Sequence, residues 1–307
     1  MAGELVLITG ISGHVGFQTL SVALATGYRV RGIDNLLKVG AFDTVVKDVT
    51  YIVHIASPLA RMAEDPDKEI IESAVNGTLN ILSGAQKSIT VKRIVLTFSV
   101  AILIANRQRF NQVLTERDVV PRPSPPYGKF PESYLNGKTL AYYATSDWVE
   151  TNKPTFDIIH ILPSFIIGPN ELNTTVKEMV SGSNSLILRP LLGFRNTENP
   201  IPYTTVHIED AVTAHIKALD PTVKGGQSFL LSAPLQKGKW DDMFEIVQKS
   251  FPLIKRKCIL PLNGTQATLN ILLDSSKAEK ELGITFKLYE RQLKDLVGQY
   301  LDLAASR

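Results

Sequence analysis

The chain has 307 residues, enough for about two domains of ~150 residues or for one large α/β domain with an added lobe. Apolar residues make up 44% and charged residues 21%, an ordinary globular mix that can bury a large core without covalent staples. A net charge of +3 is too small to argue for nucleic acid or an anionic membrane, and the single cysteine, Cys258, excludes an intramolecular disulfide and argues against a cysteine-based zinc site.

The N-terminal "MAGELVLITG" has an acidic residue at position 4 and an apolar run that ends at Thr9-Gly10, so it reads as a strand entering a turn rather than a signal peptide. No stretch approaches the ~18 consecutive apolar residues of a membrane span, and a soluble, cytoplasmic protein is expected. In chain order, "LVLITG" (5–10) reads as a buried strand and "VGFQTLSVALATG" (15–27) as a helix that stops at Gly27. Strands are predicted at "YRVRGID" (28–34) and "TYIVHIAS" (50–57), then an amphipathic helix over 69–87. "RIVLTFS" (93–99) reads as a strand, 133–151 as a helix, and "FDIIHILP" (156–163) as a strand. Residues 169–204 are rich in Asn, Thr, Ser, Gly and Pro and read as loop with short elements. "TTVHIEDAVTAHIKAL" (204–219) restores a strand-to-helix pattern, and from about 233 the chain holds helices with short extended pieces.

Short apolar strands alternating with crossover helices imply an α/β fold, a doubly wound, mainly parallel (Rossmann) sheet with a smaller α/β C-terminal substrate lobe. The expected division is 1–168 for the dinucleotide-binding domain, with 204–232 returning to it, and 169–203 plus 233–307 for the lobe. Ligands of such sheets bind at the carboxyl ends of the strands.

"TGISGHVG" (9–16) places Gly10, Gly13 and Gly16 directly after a strand and at the opening of a helix. Gly10 permits the tight turn, Gly13 lets the backbone approach a pyrophosphate, and Gly16 lets helix and strand pack closely. The helix start offers unpaired N–H groups to phosphate, so Ser12, His14 and Val15 join the three glycines as cofactor candidates. Asp34 ends the second strand, where a carboxylate accepts from the adenosine ribose hydroxyls and repels a 2′-phosphate. That argues for NAD, with NADP the less favoured option. Asn35 beside it is a further candidate, and a plain turn former is the less favoured reading of Asp34-Asn35. Arg29 and Arg31 share a strand face, and neither follows the strand, where a 2′-phosphate would be met.

In "ESYLNGK" (132–138), Tyr134 and Lys138 lie one helical turn apart on a common face. Beside an oxidised nicotinamide, the ring's positive charge and the Lys138 ammonium favour the phenolate and draw the tyrosine pKa down from ~10. Such a phenol exchanges a proton with a carbonyl or alcohol oxygen while hydride moves. Ser99, at the carboxyl end of its strand, is placed to hold the same oxygen, and Lys138 to reach the nicotinamide ribose. The catalytic candidates are Ser99, Tyr134 and Lys138, and the last two also count as cofactor contacts. Each alone has a plainer reading, since Tyr-x-x-x-Lys occurs on inert amphipathic helices and serine often ends strands as a turn former.

With "VHIASP" (53–58), "NGTLNIL" (76–82), "LPSFIIGP" (162–169), "TTVHIEDAV" and "VGQYLDL", these motifs make nearly the whole chain resemble the extended short-chain dehydrogenase/reductase family. In detail it is similar to fungal carbonyl reductases of the methylglyoxal-reductase type and to dihydroflavonol reductase. The resemblance implies asymmetric reduction of ketones or aldehydes. It also implies roles for Ala56, Ser57 and Pro58 beside the cofactor and for Pro163 to Phe165 near the nicotinamide carboxamide. The chain departs from the family in three places. Only some 15 residues separate Asp34 from the strand at 50–57, where a further helix and strand are usual, so one strand fewer is expected. "GIDNLL" lacks the arginine of the NADPH-dependent members. Phe98 replaces the usual serine before Ser99, and Asn136-Gly137 weakens the helix between Tyr134 and Lys138 by roughly 1 kcal/mol.

The leading expectation is hydride transfer between NAD(H) and a small or aromatic ketone or aldehyde. Apolar runs beside Ser99 ("SVAILIA", 99–105) and in "LILRPLLGF" are the expected pocket walls. The alternatives are a nucleotide-sugar epimerase or dehydratase, for which Arg189 is a candidate diphosphate ligand, and a non-catalytic dinucleotide-binding protein. His14, His54, His160, His207 and His215 are not gathered with carboxylates, so no metal is expected. The expected partner is a small-molecule carbonyl or alcohol, with no nucleic acid or membrane, in a monomer or homodimer.

Overall fold

The computed structural model describes residues 3–34, 40–57, 62–104, 112–194, 198–234, 238–256 and 259–306. Six strands form the central sheet: β1 (Leu5–Thr9), β2 (Arg29–Ile33), β3 (Tyr51–His54), β4 (Arg93–Thr97), β5 (Asp157–Pro163) and β6 (Gln227–Leu231). Their spatial order is β6-β5-β4-β3-β1-β2, and every neighbouring pair is parallel. The chain steps outward from β1 to β2, then crosses back to β3 on the other side of β1. The crevice at the carboxyl ends of β1 and β3 is therefore the topological switch point, the place where such sheets bind ligands.

The principal helices are α1 (His14–Ala25), α2 (Ser73–Gln86), α3 (Glu132–Asn152), α4 (Ser185–Leu191), α5 (Ile208–Lys217), α6 (Asp242–Ser250), α7 (Ser276–Leu282) and α8 (Tyr289–Ala305). Period-two alternation in the strands sends side chains to both faces. Leu5 and Leu7 of β1 join Ile52, Ile94 and Leu96 under α2 and α3, with Ile81, Leu82 and Ala141 from the helices. Val6 and Ile8 join Val53, Val95, Ile159 and Ile161 on the other face, against Ala211 and Ala214 of α5. All five residues of β1 are buried, which explains its uninterrupted apolar reading. A third cluster gathers Met179, Ile187, Leu188, Trp240, Met243, Leu293 and Leu296 around α4, α6 and α8.

At the amino end of the sheet, buried Arg93 clasps three segments. Its guanidinium donates to both Asp157 oxygens at 2.6 and 2.8 Å and to the carbonyls of Ala218 and Val223. The charge is paired and its donors are used, which makes burial tolerable.

The expected elements are present, with shifted ends. The strand over 93–99 stops at Thr97, so Ser99 sits two residues beyond it. The helix over 69–87 opens with a π-helical turn, Asp67–Glu72. α3 runs unbroken through Asn136-Gly137. Asn136 Nδ2 donates to the Tyr127 carbonyl at 2.8 Å, and Gly137 packs on Ile70 and Ile71, so tertiary contacts outweigh the propensity deficit. Among the described residues β2 is the last strand on its side of the six-stranded sheet, where the short connection after Asp34 had suggested one strand fewer. Residues 40–48 form turns, and Phe42, Val46 and Val49 are buried beneath α2. Phe42 lies where a side chain at Gly84 would stand.

Candidate active site

The glycine turn carries its reasons in its geometry. Gly10 has φ +73°, and a Cβ there would stand 2.9 Å from the Ala56 nitrogen. A Cβ at Gly16 would overlap the Gly10 carbonyl. Gly13 caps α1 in an extended conformation with no side-chain cap, and its own N–H bonds to the Gly10 carbonyl at 3.0 Å. The first N–H groups of α1 therefore have no side-chain partner at the cap and open on the switch point, a cradle suited to a pyrophosphate. Exposed Asp34 stands beside this turn and accepts the Ser12 N–H at 3.3 Å. Val15 is half-buried in the first turn of α1.

Thr9 ties the turn to the segment after β3. Its Oγ1 accepts the N–H of Ile55 at 3.1 Å and of Ala56 at 3.2 Å. Both lone pairs are then used, so the hydroxyl donates to His54 Nδ1, 2.9 Å away. That assigns the imidazole proton to Nε2. Burial and, after it, the Lys138 charge push the His54 pKa down to about 3, so the ring stays neutral. Ala56 and Ser57 are half-buried at the same edge. Asn35 and Pro58 lie outside the described residues.

Ser99, Tyr134 and Lys138 converge on the carboxyl end of β4. The Tyr134 hydroxyl is hydrogen-bonded with Ser99. Ser99 Oγ accepts the Ala101 N–H at 3.2 Å and approaches the Pro163 carbonyl at 3.5 Å. Lys138 is buried and donates from Nζ to the Thr97 carbonyl at 3.2 Å. Burial brings its pKa down to about 8. Burial raises the Tyr134 pKa, and the Ser99 hydrogen bond only partly offsets it; the lowering expected from the sequence belongs to a site that holds an oxidised nicotinamide. Pro163 ends β5 against Ser99, and Phe165 follows buried Ser164, whose hydroxyl donates to the Leu231 carbonyl.

Much of the two apolar runs expected to wall a pocket is core instead. Val100, Ile102 and Leu103 are buried beneath α3, and Ile187, Leu188 and Leu191 fill the third cluster. Arg189 is exposed, with its guanidinium 5.4 Å from the Phe194 ring centre. Thr9 and Thr97 were missed as site residues. The readable signal was a hydroxyl ending each otherwise apolar strand. His54 and His215 are buried among hydrogen bonds, the latter to Thr97 at 2.8 Å and Ala211 at 2.7 Å. Among the described residues, no group of three His, Cys, Asp or Glu side chains is arranged to hold a metal, and no helix is long and apolar enough to cross a membrane.

A parallel sheet with a glycine cradle at its switch point and a Ser–Tyr–Lys set beside it defines an enzyme of the NAD(P)-dependent reductase and epimerase superfamily. Residues 6–231 match the NAD dependent epimerase/dehydratase family, and the chain belongs to it, as an extended short-chain dehydrogenase/reductase. It is 32% identical to "Ketoreductase CTB6" of Cercospora beticola over 348 positions, covering 99% of this chain and 96% of that protein. That span exceeds the chain's own length, so this relative carries residues with no counterpart here. "NAD-dependent epimerase/dehydratase FUM13" of Gibberella moniliformis is 29% identical, covering 98% and 96%. The structure of Gre2 from Candida albicans in complex with NADPH superposes with a TM-score of 0.84 at 22% identity, covering 98% and 99%. Vestitone reductase from alfalfa gives 0.72 at 22% identity, covering 99% of both chains.

Proposed function

We propose that the chain is an NAD(H)-dependent carbonyl reductase, acting on a small or aromatic ketone or aldehyde and, in reverse, on the secondary alcohol. The observation that carries this reading is the convergence of Ser99, Tyr134 and Lys138 on one strand end beside the glycine turn. The nicotinamide, when bound, supplies or accepts the hydride. His14 and Val15, at the start of α1, would offer backbone N–H groups to the pyrophosphate, Gly10, Gly13 and Gly16 would leave room for it beside Ser12, and Asp34 would hold the adenosine ribose. Ala56, Ser57, Pro163 and Phe165 flank the ring end of the crevice.

Ser99 fixes the substrate oxygen, and Tyr134 gives it a proton as the carbonyl is reduced. Burial keeps the phenol protonated before reaction, which suits a general acid. The Lys138 ammonium, held in a buried place by Thr97, supplies positive charge near the developing alkoxide and phenolate. The segments 169–203 and 233–307 are the proposed substrate lobe, and the names of the ketoreductase relatives support a carbonyl substrate.

The test is a side-by-side NADH and NADPH titration with a panel of ketones, repeated on Tyr134→Phe. NADH oxidation by the wild type that falls on the order of 100-fold or more in the variant supports the mechanism. Normal turnover by Tyr134→Phe removes it. The epimerase or dehydratase reading draws support from the family name and from relatives such as FUM13. It needs an acid and a base beside the site, whereas Val100 and Ala101 follow Ser99 and are buried. A nucleoside-diphosphate sugar that raises the melting temperature, with no ketone turned over, would favour it.

A further inference from the structure

Three consecutive residues just past the "LPSFII" run are each held by a side chain from a different part of the chain. The Gly168 N–H donates to Asn184 Oδ1 at 3.1 Å, and Asn184 Nδ2 donates back to the Gly168 carbonyl at 2.8 Å. The Pro169 carbonyl accepts from His14 Nε2 at 2.8 Å. The Asn170 N–H donates to Gln299 Oε1 at 2.9 Å, and Gln299 Nε2 donates to the Asn170 carbonyl at 2.7 Å. The chemistry matches position by position. Residues 168 and 170 each present a donor and an acceptor, and each meets a carboxamide that presents both. Proline presents an acceptor alone and meets an imidazole N–H. The main-chain polar groups of 168–170 are thus satisfied outside any sheet, by residues 16, 155 and 129 positions away.

The segment is also fixed sterically. Gly168 has φ +148°, and the place of its missing Cβ is taken by Ile208 Cγ2 and, at 3.2 Å, by His207 Nε2. Buried His207 lies 3.3 Å from Asp295, which stands one turn before Gln299 on α8. His14, the first residue of α1, belongs to the glycine turn. Asn184 immediately precedes α4, and Gln299 lies on α8.

We infer that Gly168–Asn170 is a three-point joint through which His14 couples the dinucleotide turn to the substrate-side segment 171–194, with His14 and Gln299 as positioning residues. The inference rests on the cofactor site proposed above. A shift of the turn on dinucleotide binding reaches Pro169 through one imidazole hydrogen bond, and residues 171–194 are anchored from Asn170 onward.

Hydrogen–deuterium exchange on the full chain, with and without saturating NADH, tests this. In the wild type, NADH slows exchange in peptides covering 10–16 and in those covering 171–194. In His14→Phe the donor is lost while the backbone N–H remains. Protection of 171–194 then falls about fivefold, the loss of one hydrogen bond of ~1 kcal/mol, while 10–16 stays protected. His14→Gln returns an N–H donor and restores protection. Gln299→Leu loses protection of 171–194 with NADH affinity within about twofold of wild type, and raises the ketone KM more than it lowers kcat.

Protection of 171–194 by NADH that is equal in wild type and His14→Phe overturns the joint. So do variants that only lower the melting temperature, and a His14→Gln that restores nothing. Wild-type chain that shows no NADH protection anywhere sinks the cofactor reading itself. Protection of 10–16 without 171–194 sinks the joint alone.

Discussion

Replacing Lys138 by methionine should stabilise the fold while abolishing activity. The residue is 6% exposed, and its ammonium donates to the Thr97 carbonyl, 3.2 Å away. Moving an ammonium pKa from 10.5 to about 8 corresponds to ~3 kcal/mol against the charged form in the folded state. Methionine fills a similar volume without charge but leaves the Thr97 carbonyl unpartnered, at about 1 kcal/mol. The expected net gain at pH 7 is therefore ~2 kcal/mol. The sign follows from linkage. The folded pKa lies below the unfolded one, so between them the unfolded chain binds more protons, and wild-type stability rises with pH. The penalty is fully present below pH 8 and is relieved between pH 8 and 10.5. Urea unfolding of both proteins at pH 7 and at pH 10 measures this. The variant should lead at pH 7, and the gap should narrow at pH 10. A variant less stable at pH 7, or a gap indifferent to pH, would refute the claim that burial of the ammonium costs stability.

Three further predictions concern the helix and the cofactor turn. Gly137→Ala should stabilise by about 0.5–1 kcal/mol, because its Cβ would meet Ile71 Cα at an ordinary 3.5 Å while helix propensity improves; a fall in thermal midpoint would show that α3 and the π-helical turn pack more tightly than this. Gly16→Ala should weaken NADH binding on the order of 100-fold, since the new methyl collides with the Gly10 carbonyl and the turn must shift; binding by fluorescence titration that stays normal would exclude this turn as the phosphate cradle. Asp34→Ala should raise the NADH dissociation constant about tenfold through loss of charge-assisted ribose contacts and leave NADPH binding no worse. Tighter binding of NADPH than NADH by the wild type would contradict the role given to Asp34.

The sheet was legible because β1, β3, β4 and β5 are buried on both faces, so their sequences are continuous apolar runs bounded by glycine, proline or serine. The glycine turn was legible because backbone approach leaves no substitute for glycine at 10 and 16. Long-range side-chain wiring was not. Nothing local in "TG" or "VHIAS" says that Thr9 bonds His54, 45 residues away. Nothing local in "LPSFIIGP" says that its last carbonyl meets His14. The apolar run after Ser99 misled for a related reason. A four-residue apolar stretch reads the same whether it lines a crevice or folds into a buried turn, and here Ala101–Ile104 is that turn. The desolvation that raises the Tyr134 pKa was not legible either, because it depends on neighbours that periodicity does not name.

The short connection after β2 bears on cofactor choice through the same kind of wiring. Arg31 donates from Nη1 to the carbonyls of Val45 and Lys47 at 2.6 and 2.8 Å, and Arg29 from Nε to the Gly3 carbonyl at 3.0 Å. Both guanidinium groups on the edge strand are thereby occupied by backbone, Arg31 as a strut that holds residues 40–50 under α2. Turning Arg31 toward a 2′-phosphate would break two hydrogen bonds and release the segment that buries Phe42, Val46 and Val49. Asp34, just past the same strand, is exposed beside the glycine turn, where its carboxylate accepts the Ser12 N–H. Among the described residues the edge of the sheet thus offers a carboxylate and two committed arginines. That combination supports the proposed NAD(H) reading, in which Asp34 meets a free ribose hydroxyl and neither arginine of β2 is available to a 2′-phosphate without breaking its backbone contacts.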